Sequence, residues 1–281
     1  MLVFLNGQYV PEERALVSIF DRGFLYGDGL FEAIRIFNGR PFRFQQHIER
    51  LRRGADFLHI RVPLSPADME ERSIELLQRN QFRNGVLRVT LSRGAGTRGY
   101  SPKGADSPTL VMNLTPLPAA DSSPPRPRRL ITSTLRVPAN DPLACHKTCS
   151  KLQHVLARAE ADASDADDAL LVNTSGEVTE CTSSNIFWLA GETICTTPAA
   201  AGLLPGITRG LLLELCREEN IPCEERTITP GALRDADAAF LTLSSLGIVE
   251  AASLDGITFR SSRQIAHLSE QYWKIVERET A

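Results

Sequence analysis

Apolar residues recur along the first third of the chain with the periods of strands and helices. Residues 1–10 hold an Asn-Gly pair between two apolar runs, the pattern of a β-hairpin, and Leu30–Phe37 is a strand-like run that a second Asn-Gly pair ends. Between Ile48 and Leu58 the apolar spacing changes to three and four, which predicts a helix. Ser65-Pro66 combines a capping residue with proline at the first helical position, so a second helix is expected to begin there.

The remaining pattern predicts more strands and helices and one break between two domains. Predicted strands lie at 86–92, 109–115, 169–172, 186–189 and 238–243, and predicted helices begin near Leu152 and at Ile207. The proline-rich stretch from Pro116 to Arg129 cannot hold a helix or a central strand, because proline lacks the N–H donor that both need. We therefore predict an N-terminal domain at 1–117, a linker at 118–128 and a C-terminal domain at 129–281. The order of elements favours an α/β chain of the mixed α+β class, with helices packed on mixed sheets, over strictly alternating parallel units.

Composition narrows the class of protein. The 281 residues carry 31 basic and 34 acidic side chains, a formal net charge of −3, and 42% are hydrophobic, which excludes a disordered chain, a collagen or a highly basic nucleic-acid binder. No apolar run approaches the roughly 18 residues of a membrane span, and the N-terminus predicts a hairpin instead of a signal segment. We expect a cytoplasmic protein whose partners include neither nucleic acid nor membrane. The six cysteines form no Cys-x-x-Cys pair, so we expect reduced packing residues and no metal site.

The chain contains few lysines, so few side chains could act as an amine nucleophile. The chain has four lysines against 27 arginines. Lys103 lies in a Pro-Lys-Gly loop and Lys274 on a solvated helix, so both are expected at the surface. Lys147 and Lys151 precede an apolar helix, where a lysine can lose solvent and become available for covalent catalysis. From the residues alone either of these two could be the nucleophile, or both could be ordinary cations at a helix start.

Three further positions could bind charged groups. Glu180 is followed by small hydroxyl residues that can orient a buried carboxylate, although a solvent-facing turn residue is an equal alternative. The predicted helix start at Ile207 and Thr208 exposes backbone N–H groups that can hold a phosphate. Arg50, on the first predicted helix, could pair with a phosphate or be solvated.

The segment 92–100 combines arginine with glycine directly after a predicted strand. Arg93 and Arg98 lie among three glycines, and Tyr100 ends the run. Glycine lets the backbone approach a ligand closely, while a guanidinium fork matches a carboxylate. A flexible basic turn is the alternative, but loops that continue a rigid strand often carry binding groups.

Six segments, taken in order, resemble the class IV (fold type IV) pyridoxal-phosphate enzymes. They are Asp21-Arg22-Gly23, Tyr26–Glu32, His47-x-x-Arg50-Leu51, Lys147, Glu180–Phe187 and Leu204–Arg209. The resemblance runs from near residue 3 to about 255. It implies pyridoxal 5′-phosphate as the cofactor, a smaller N-terminal α/β domain, a larger C-terminal domain that binds the cofactor, and a homodimer. It also implies a small-molecule substrate that carries an amine and a carboxylate.

The same resemblance assigns roles to particular residues. Lys147 matches the lysine that forms the Schiff base with the cofactor, which makes Lys151 a bystander. Glu180 matches the carboxylate that pairs with the pyridine nitrogen and keeps it protonated. The residues that match the phosphate site are Arg50, Ile207, Thr208 and Ser244.

Within the family, the run from Arg93 to Tyr100 is most similar to the 4-amino-4-deoxychorismate lyases. The stretch 240–248 is also similar to theirs, although Leu243 and Ser245 depart from it. The resemblance thus implies elimination of pyruvate from aminodeoxychorismate to give 4-aminobenzoate, a step of folate biosynthesis. Its expected substrate-binding residues are Phe31, Arg93, Arg98 and Tyr100.

Two alternatives stay open. Arg98 also lies where D-amino-acid aminotransferases place a carboxylate-binding arginine, although Phe31 replaces their usual tyrosine. A class IV aminotransferase of the D-amino-acid or branched-chain type is therefore the second expectation. A catalytically silent homologue that binds a ligand or acts as a scaffold is the third.

Overall fold

The structure is a computed structural model that describes residues 1–117 and 125–281. Contacts between residues divide the chain into two compact units. The first comprises Met1–Asp121, His146–Lys151 and Arg278–Ala281, and the second comprises Ser122–Cys145 and Leu152–Glu277. Most of the predicted linker at 118–128 lies outside the described residues, so the domain boundaries drawn from the sequence stay a prediction.

The first unit is built on an antiparallel sheet of six strands in the order β2-β1-β6-β5-β3-β4. Its elements are β1 (Leu2–Leu5), β2 (Gln8–Pro11), α1 (Arg22–Tyr26), β3 (Gly29–Phe37), β4 (Arg40–Pro41), α2 (Phe44–Phe57), α3 (Pro66–Arg79), β5 (Gly85–Ser92) and β6 (Thr109–Pro116). Every strand pairing in this sheet is antiparallel.

Local signals in the sequence position these elements as predicted. The turn between β1 and β2 places Asn6 at φ 48° and Gly7 at φ 94°, the positive values that a two-residue hairpin turn needs. Ser65 caps α3: its hydroxyl accepts a hydrogen bond from the Asp68 N–H, and the Asp68 carboxylate accepts one from the Ser65 N–H. The predicted hairpin and both predicted helix regions are confirmed.

The two faces of β3 and β5 have different surroundings, because side chains alternate along a strand. Leu30 and Ile34 of β3 join Leu87 of β5 in a hydrophobic core that α2 and α3 cover. Phe31 and Arg88 belong to the opposite set of positions. The alternation thus separates the core-facing positions of these strands from the positions of Phe31 and Arg88.

The second unit contains a mixed sheet of nine strands. Its elements are β7 (Arg128–Val137), α4 (Leu152–Ala163), β8 (Asp168–Asn173), β9 (Val178–Cys181), β10 (Asn185–Ala190), β11 (Thr193–Thr196), α5 (Ile207–Glu218), β12 (Cys223–Glu225), α6 (Pro230–Arg234), β13 (Ala239–Leu243), β14 (Gly247–Leu254), β15 (Ile257–Thr258) and α7 (Arg263–Thr280). The order is β12-β11-β10-β13-β14-β7-β8-β9, with β15 beside β14, and parallel pairs join β11 to β12, β14 to β7 and β7 to β8. The predicted mixed α+β class is confirmed. In the described part of the chain no helix is long and apolar enough to cross a membrane.

Helix α4 forms where the sequence predicts it, and alanine forms its buried face. Its large apolar side chains, such as Leu152 and Val155, are 68% and 60% exposed, whereas Ala157 and Ala161 are completely buried. Small side chains let the helix approach β7 and β8 closely, which explains why alanine forms its inner face.

Candidate active site

Lys147 is positioned by a short pairing with the start of β3. The Phe31 N–H donates a hydrogen bond of 2.9 Å to the Lys147 carbonyl, and the Cys149 N–H donates one of 2.8 Å to the Gly29 carbonyl. Lys147 Nζ lies 4.7 Å from the centroid of the Phe31 ring. The backbone pairing therefore fixes the segment that carries Lys147, while Lys151 follows after this pairing ends.

Beside this segment, the first unit holds a buried cluster of three ionisable side chains. Glu32 is completely buried, and its two oxygens accept hydrogen bonds of 2.8 and 2.7 Å from Nε and Nη2 of Arg50. His47 Nδ1 lies 2.7 Å from Glu32 Oε2. Because an ionised carboxylate only accepts, the proton of this contact belongs to His47 Nδ1. Arg50, the predicted phosphate ligand, is thus held in a fixed orientation by a buried anion.

The surroundings of Glu32 and His47 lower the pKa of each side chain. Burial raises the pKa of Glu32, but the hydrogen bonds and charge of Arg50, with a contribution from His47, outweigh it and bring the pKa to about 2. Burial lowers the pKa of His47, and the positive charges of Arg50 and Lys147 act in the same direction. Lys147 therefore lies within electrostatic reach of the cluster.

Arg93, one of the predicted substrate ligands, is engaged within the protein. Its Nε and Nη2 donate to the Asp28 carboxylate at 2.8 and 3.1 Å, and further donors reach the carbonyls of Leu58 and His59. Arg22 shares Asp28 and also donates to three carbonyls of residues 99–101. Burial raises the pKa of Asp28, but Arg93 and Arg22 together lower it below its usual value. This arrangement fixes both ends of the 93–101 loop.

The other two predicted loop residues face solvent. Arg98 is exposed, and Tyr100 is 86% exposed with its ring 5.4 Å from that of Tyr26. The structure thus separates the two arginines of the loop: Arg93 holds it in place, and Arg98 is free of the Asp28 contact.

Arg88 is a candidate substrate ligand that the sequence reasoning missed. Its guanidinium carbon lies 3.9 Å from the centroid of the Phe31 ring, the same ring that Lys147 approaches. Its Nε donates to Thr90 Oγ1 at 3.2 Å, and within residues 1–117 and 125–281 no carboxylate pairs with it. Burial lowers the pKa of Arg88. The signal available in the sequence was that Arg88 is the single charged residue of β5, since a strand interior rarely carries an unpaired cation.

In the second unit, hydrogen bonds hold the carboxylate of Glu180 in a fixed orientation. Its Oε2 accepts hydrogen bonds of 3.2 Å from the Asn185 side-chain amide and from the Leu204 N–H. Its Oε1 lies 3.5 Å from His154 Nε2. The expectation that neighbouring hydroxyl groups orient Glu180 is wrong, since the Thr182 hydroxyl binds Asp168 instead. An amide and a backbone N–H take that role.

Helix α5 begins with backbone donors that no side chain caps. Its N-cap is Gly206, and the N–H groups of Ile207 and Thr208 have no partner inside the helix, as in any first turn. A Cβ atom at Gly206 would lie 2.2 Å from Oδ1 of Asn185, so only glycine fits there. Ser244 lies in the turn between β13 and β14. The N-terminus of α5 therefore has the chemistry of an anion site.

These residues suit the chemical groups of pyridoxal phosphate. The chain has an amine in Lys147 to match its aldehyde, a carboxylate in Glu180 to match its ring nitrogen, and helix amides without a side-chain cap at Ile207 and Thr208 to match its phosphate. The glycine at 206, where a side chain would collide with Asn185, keeps that helix start open. The donor set fits the cofactor.

Comparisons with known proteins agree with this chemistry. The model of the family described as amino-transferase class IV matches residues 29–254. The putative branched-chain-amino-acid aminotransferase of Methanocaldococcus jannaschii is 33% identical over 271 residues, which cover 96% of this chain and 93% of the relative. The D-alanine aminotransferase of Bacillus licheniformis is 32% identical over 262 residues, which cover 93% and 91%.

A solved structure shows the same likeness in three dimensions. The putative 4-amino-4-deoxychorismate lyase of Legionella pneumophila matches with a TM-score of 0.87 at 32% identity, and the match covers 96% of this chain and 97% of that one. Lyases and aminotransferases are therefore both among the relatives of this chain. The chain belongs to the class IV aminotransferase family and is a pyridoxal-phosphate-dependent enzyme of the aminotransferase and lyase type.

Proposed function

We propose that this enzyme is an aminodeoxychorismate lyase, which eliminates pyruvate from 4-amino-4-deoxychorismate and leaves 4-aminobenzoate. Folate biosynthesis in the cytoplasm is the setting that this proposal implies. The substrate carries two carboxylates, one on its ring and one on its enolpyruvyl group. An amino donor such as a branched-chain amino acid carries a single carboxylate, so two available cations favour the lyase substrate over such a donor.

The proposal depends on which arginines near Phe31 and in the 93–101 loop lack an acidic partner among the described residues. Arg88 lies against the Phe31 ring, which Lys147 also approaches, and it has no acidic partner among the described residues. Arg98 is exposed on a loop that Arg93 and Asp28 hold in place. Two arginines are thus available for two carboxylates, and each can form a bidentate ion pair. Phe31 adds an apolar ring surface without a hydroxyl group, which suits a cyclic substrate.

Different residues of the chain bind the cofactor, transfer the proton and orient the carboxylate. Pyridoxal phosphate, when bound, supplies a ring that accepts electrons. The proposed ligands of the cofactor are Lys147, Arg50, Glu180, Ile207, Thr208 and Ser244. Lys147 Nζ takes the proton from the substrate carbon that bears nitrogen, and Glu180 holds a proton at the ring nitrogen. The hydrogen bonds from Asn185 and Leu204 keep the Glu180 carboxylate in place during this work.

A class IV aminotransferase is the second candidate. The identities of 33% and 32% to the two aminotransferases favour it. The two candidates differ in the fate of the substrate: a lyase releases pyruvate without a second substrate, whereas an aminotransferase needs an oxoacid to accept the amino group.

An assay without an oxoacid separates these candidates. Purified enzyme loaded with the cofactor is incubated with aminodeoxychorismate, and pyruvate and 4-aminobenzoate are quantified. We expect equal amounts of the two products, and no product from Lys147→Ala, while Lys151→Ala retains activity. Borohydride reduction should fix the cofactor on the peptide that contains Lys147. Turnover of amino acids that depends on an added oxoacid, with no lyase activity, would establish the aminotransferase instead.

We also propose that two copies of the chain form a homodimer. The segment 16–26 of the first unit exposes several large apolar side chains, among them Leu16, Ile19, Phe20 and Phe24. Exposed apolar patches of this kind mark interaction surfaces, and a second copy of the chain would cover them. Light scattering should give twice the mass of one chain for the wild type and one chain for the double variant Phe20→Asp/Phe24→Asp. A monomeric wild type would refute this proposal.

A further inference from the structure

Thr90 contacts Arg88, the candidate substrate ligand that has no acidic partner among the described residues. The two residues lie two positions apart on β5, so their side chains share one face of the sheet. Arg88 Nε donates a hydrogen bond of 3.2 Å to Thr90 Oγ1. A threonine hydroxyl can accept this bond, whereas a valine side chain of the same shape cannot. One hydroxyl group, and not a carboxylate, thus holds the Nε side of Arg88.

Phe31 restrains the same guanidinium through a second contact. Thr90 lies directly opposite Phe31 in the pairing of β5 with β3. The guanidinium carbon of Arg88 is 3.9 Å from the centroid of the Phe31 ring, within the range of a cation–π contact. The ring limits how far the guanidinium can move from Phe31, and the hydrogen bond to Thr90 limits its rotation at Nε. Together the two contacts hold Arg88 in one conformation before a ligand binds.

The contact with Thr90 also determines which donors of Arg88 remain for a ligand. A guanidinium has five N–H donors, one on Nε and two on each terminal nitrogen. Within residues 1–117 and 125–281, Nη1 and Nη2 of Arg88 donate no hydrogen bond, and the side chain is half-buried. A carboxylate can bind a guanidinium through Nε and one terminal nitrogen or through both terminal nitrogens. Because Thr90 occupies the Nε donor, the pair of terminal nitrogens is left.

We infer that Thr90 is a positioning residue for substrate binding, whose hydroxyl holds Arg88 so that Nη1 and Nη2 bind a carboxylate of the substrate. The inference rests on the proposed function and adds the residue that orients the arginine. Arginine has many rotamers, and immobilising such a side chain on binding costs affinity. A side chain that Thr90 already holds loses less freedom when the carboxylate binds. The Thr90 hydroxyl should therefore strengthen substrate binding and leave proton transfer at Lys147 unchanged.

Steady-state kinetics of the holoenzyme with substitutions at position 90 test the inference. Thr90→Val keeps the branched shape that suits a strand but removes the hydrogen-bond acceptor. We expect its KM for aminodeoxychorismate to rise about fivefold with kcat unchanged, since immobilising one flexible side chain costs roughly two- to twelvefold in affinity. Thr90→Ser retains the hydroxyl and should have the KM of the wild type. Thr90→Ala makes the same test if the valine variant does not fold.

A double-mutant cycle shows whether Thr90 acts through Arg88. Arg88→Met alone should raise KM about tenfold, and Thr90→Val should add nothing in that background, because the group that Thr90 holds is gone. The matched control is Thr115→Val, which removes an exposed hydroxyl from the neighbouring strand β6 and should leave KM unchanged. The inference is overturned if Thr90→Val leaves KM unchanged, if Thr90→Ser raises KM as much as Thr90→Val does, or if Thr90→Val raises KM equally with and without Arg88.

The outcomes also separate this inference from the proposed function. If the lyase assay shows an aminotransferase instead, the same cycle is measured as the KM for its amino donor, which also carries a carboxylate. Thr90→Val should again raise KM only when Arg88 is present. A lyase whose KM does not respond to Thr90→Val would overturn the inference and leave the proposed function intact.

Discussion

The buried charge of Glu32 should be a major source of stability in the first unit, and Glu32→Gln tests this. Glu32 accepts two hydrogen bonds from Arg50 and one from His47 while no part of it is exposed. Glutamine has one acceptor oxygen and an NH₂ group that would oppose the donors. The substitution would therefore leave the buried Arg50 cation without its counter-charge.

Two arguments give a similar loss in the free energy of unfolding for Glu32→Gln. The pKa of Glu32 falls from 4.5 to about 2 on folding, and at ~1.36 kcal/mol per pKa unit this corresponds to about 3 kcal/mol in favour of the folded state. Removal of one partner from a buried ion pair typically costs about 3–5 kcal/mol. We therefore expect the free energy of unfolding at pH 7 to fall by about 3 kcal/mol.

The pH dependence of this loss has a definite sign. Because folding depresses the pKa of Glu32, the stabilisation is complete above the unfolded value of 4.5 and is lost as the pH falls towards about 2. The wild type should therefore lose stability over this window, whereas Glu32→Gln lacks this contribution to the slope. The difference between the two proteins should shrink as the solution is acidified.

Urea unfolding followed by circular dichroism at pH 7 and pH 3.5 measures both quantities. Glu270→Gln is the control, because Glu270 also forms an ion pair, with Lys274 at 2.8 Å, but 63% of its side chain is exposed and solvent screens the pair. The control should change stability little at either pH. A loss below about 1 kcal/mol for Glu32→Gln at pH 7, or a loss that grows on acidification, would refute the reasoning.

Three further variants test the candidate site. Arg88→Met retains an unbranched side chain, shorter than arginine, but removes the charge, so the KM for aminodeoxychorismate should rise about tenfold in steady-state assays, and an unchanged KM would exclude a carboxylate contact. Asp28→Asn weakens both arginine contacts that hold the 93–101 loop, which should then be cut faster in limited proteolysis than in wild type. Gly206→Ala should weaken cofactor binding, measured as the Kd of pyridoxal phosphate, whereas Gly210→Ala on the same helix should not, because its Cβ meets no atom within 4 Å.

Elements whose signals are local were predictable from the sequence. The Asn6-Gly7 turn and the Ser65 cap each depend on residues a few positions apart, and both form as expected. The rarity of lysine reduced the candidate nucleophiles to Lys147 and Lys151, and the choice between them came only from the resemblance to the family. The face of α4 was not predictable in this way, because its hydrophobic pattern points to Leu152 and Val155 while the fit against the sheet selects Ala157.

The placement of Lys147 depends on contacts that a linear pattern does not contain. Its segment pairs with the beginning of β3, and the two hydrogen bonds join residues more than a hundred positions apart. A hydrophobic period predicts that a strand exists but does not identify its neighbour, since any edge offers the same N–H and C=O groups. The neighbour of Phe31 was therefore visible only in three dimensions.

The three arginines at 88, 93 and 98 show the same limit for charge. All lie in one strand and loop, and a guanidinium offers the same donors in each case. The arginines differ in their acidic partners. Arg93 pairs with Asp28, which is 65 positions away in sequence, whereas Arg88 pairs with no carboxylate among the described residues. An arginine already paired within the protein must lose that pair to bind a ligand, whereas a half-buried arginine without one gains a partner. The carboxylate of a substrate should therefore bind at Arg88 in preference to Arg93, although the glycine-rich run around Arg93 gives the stronger sequence signal.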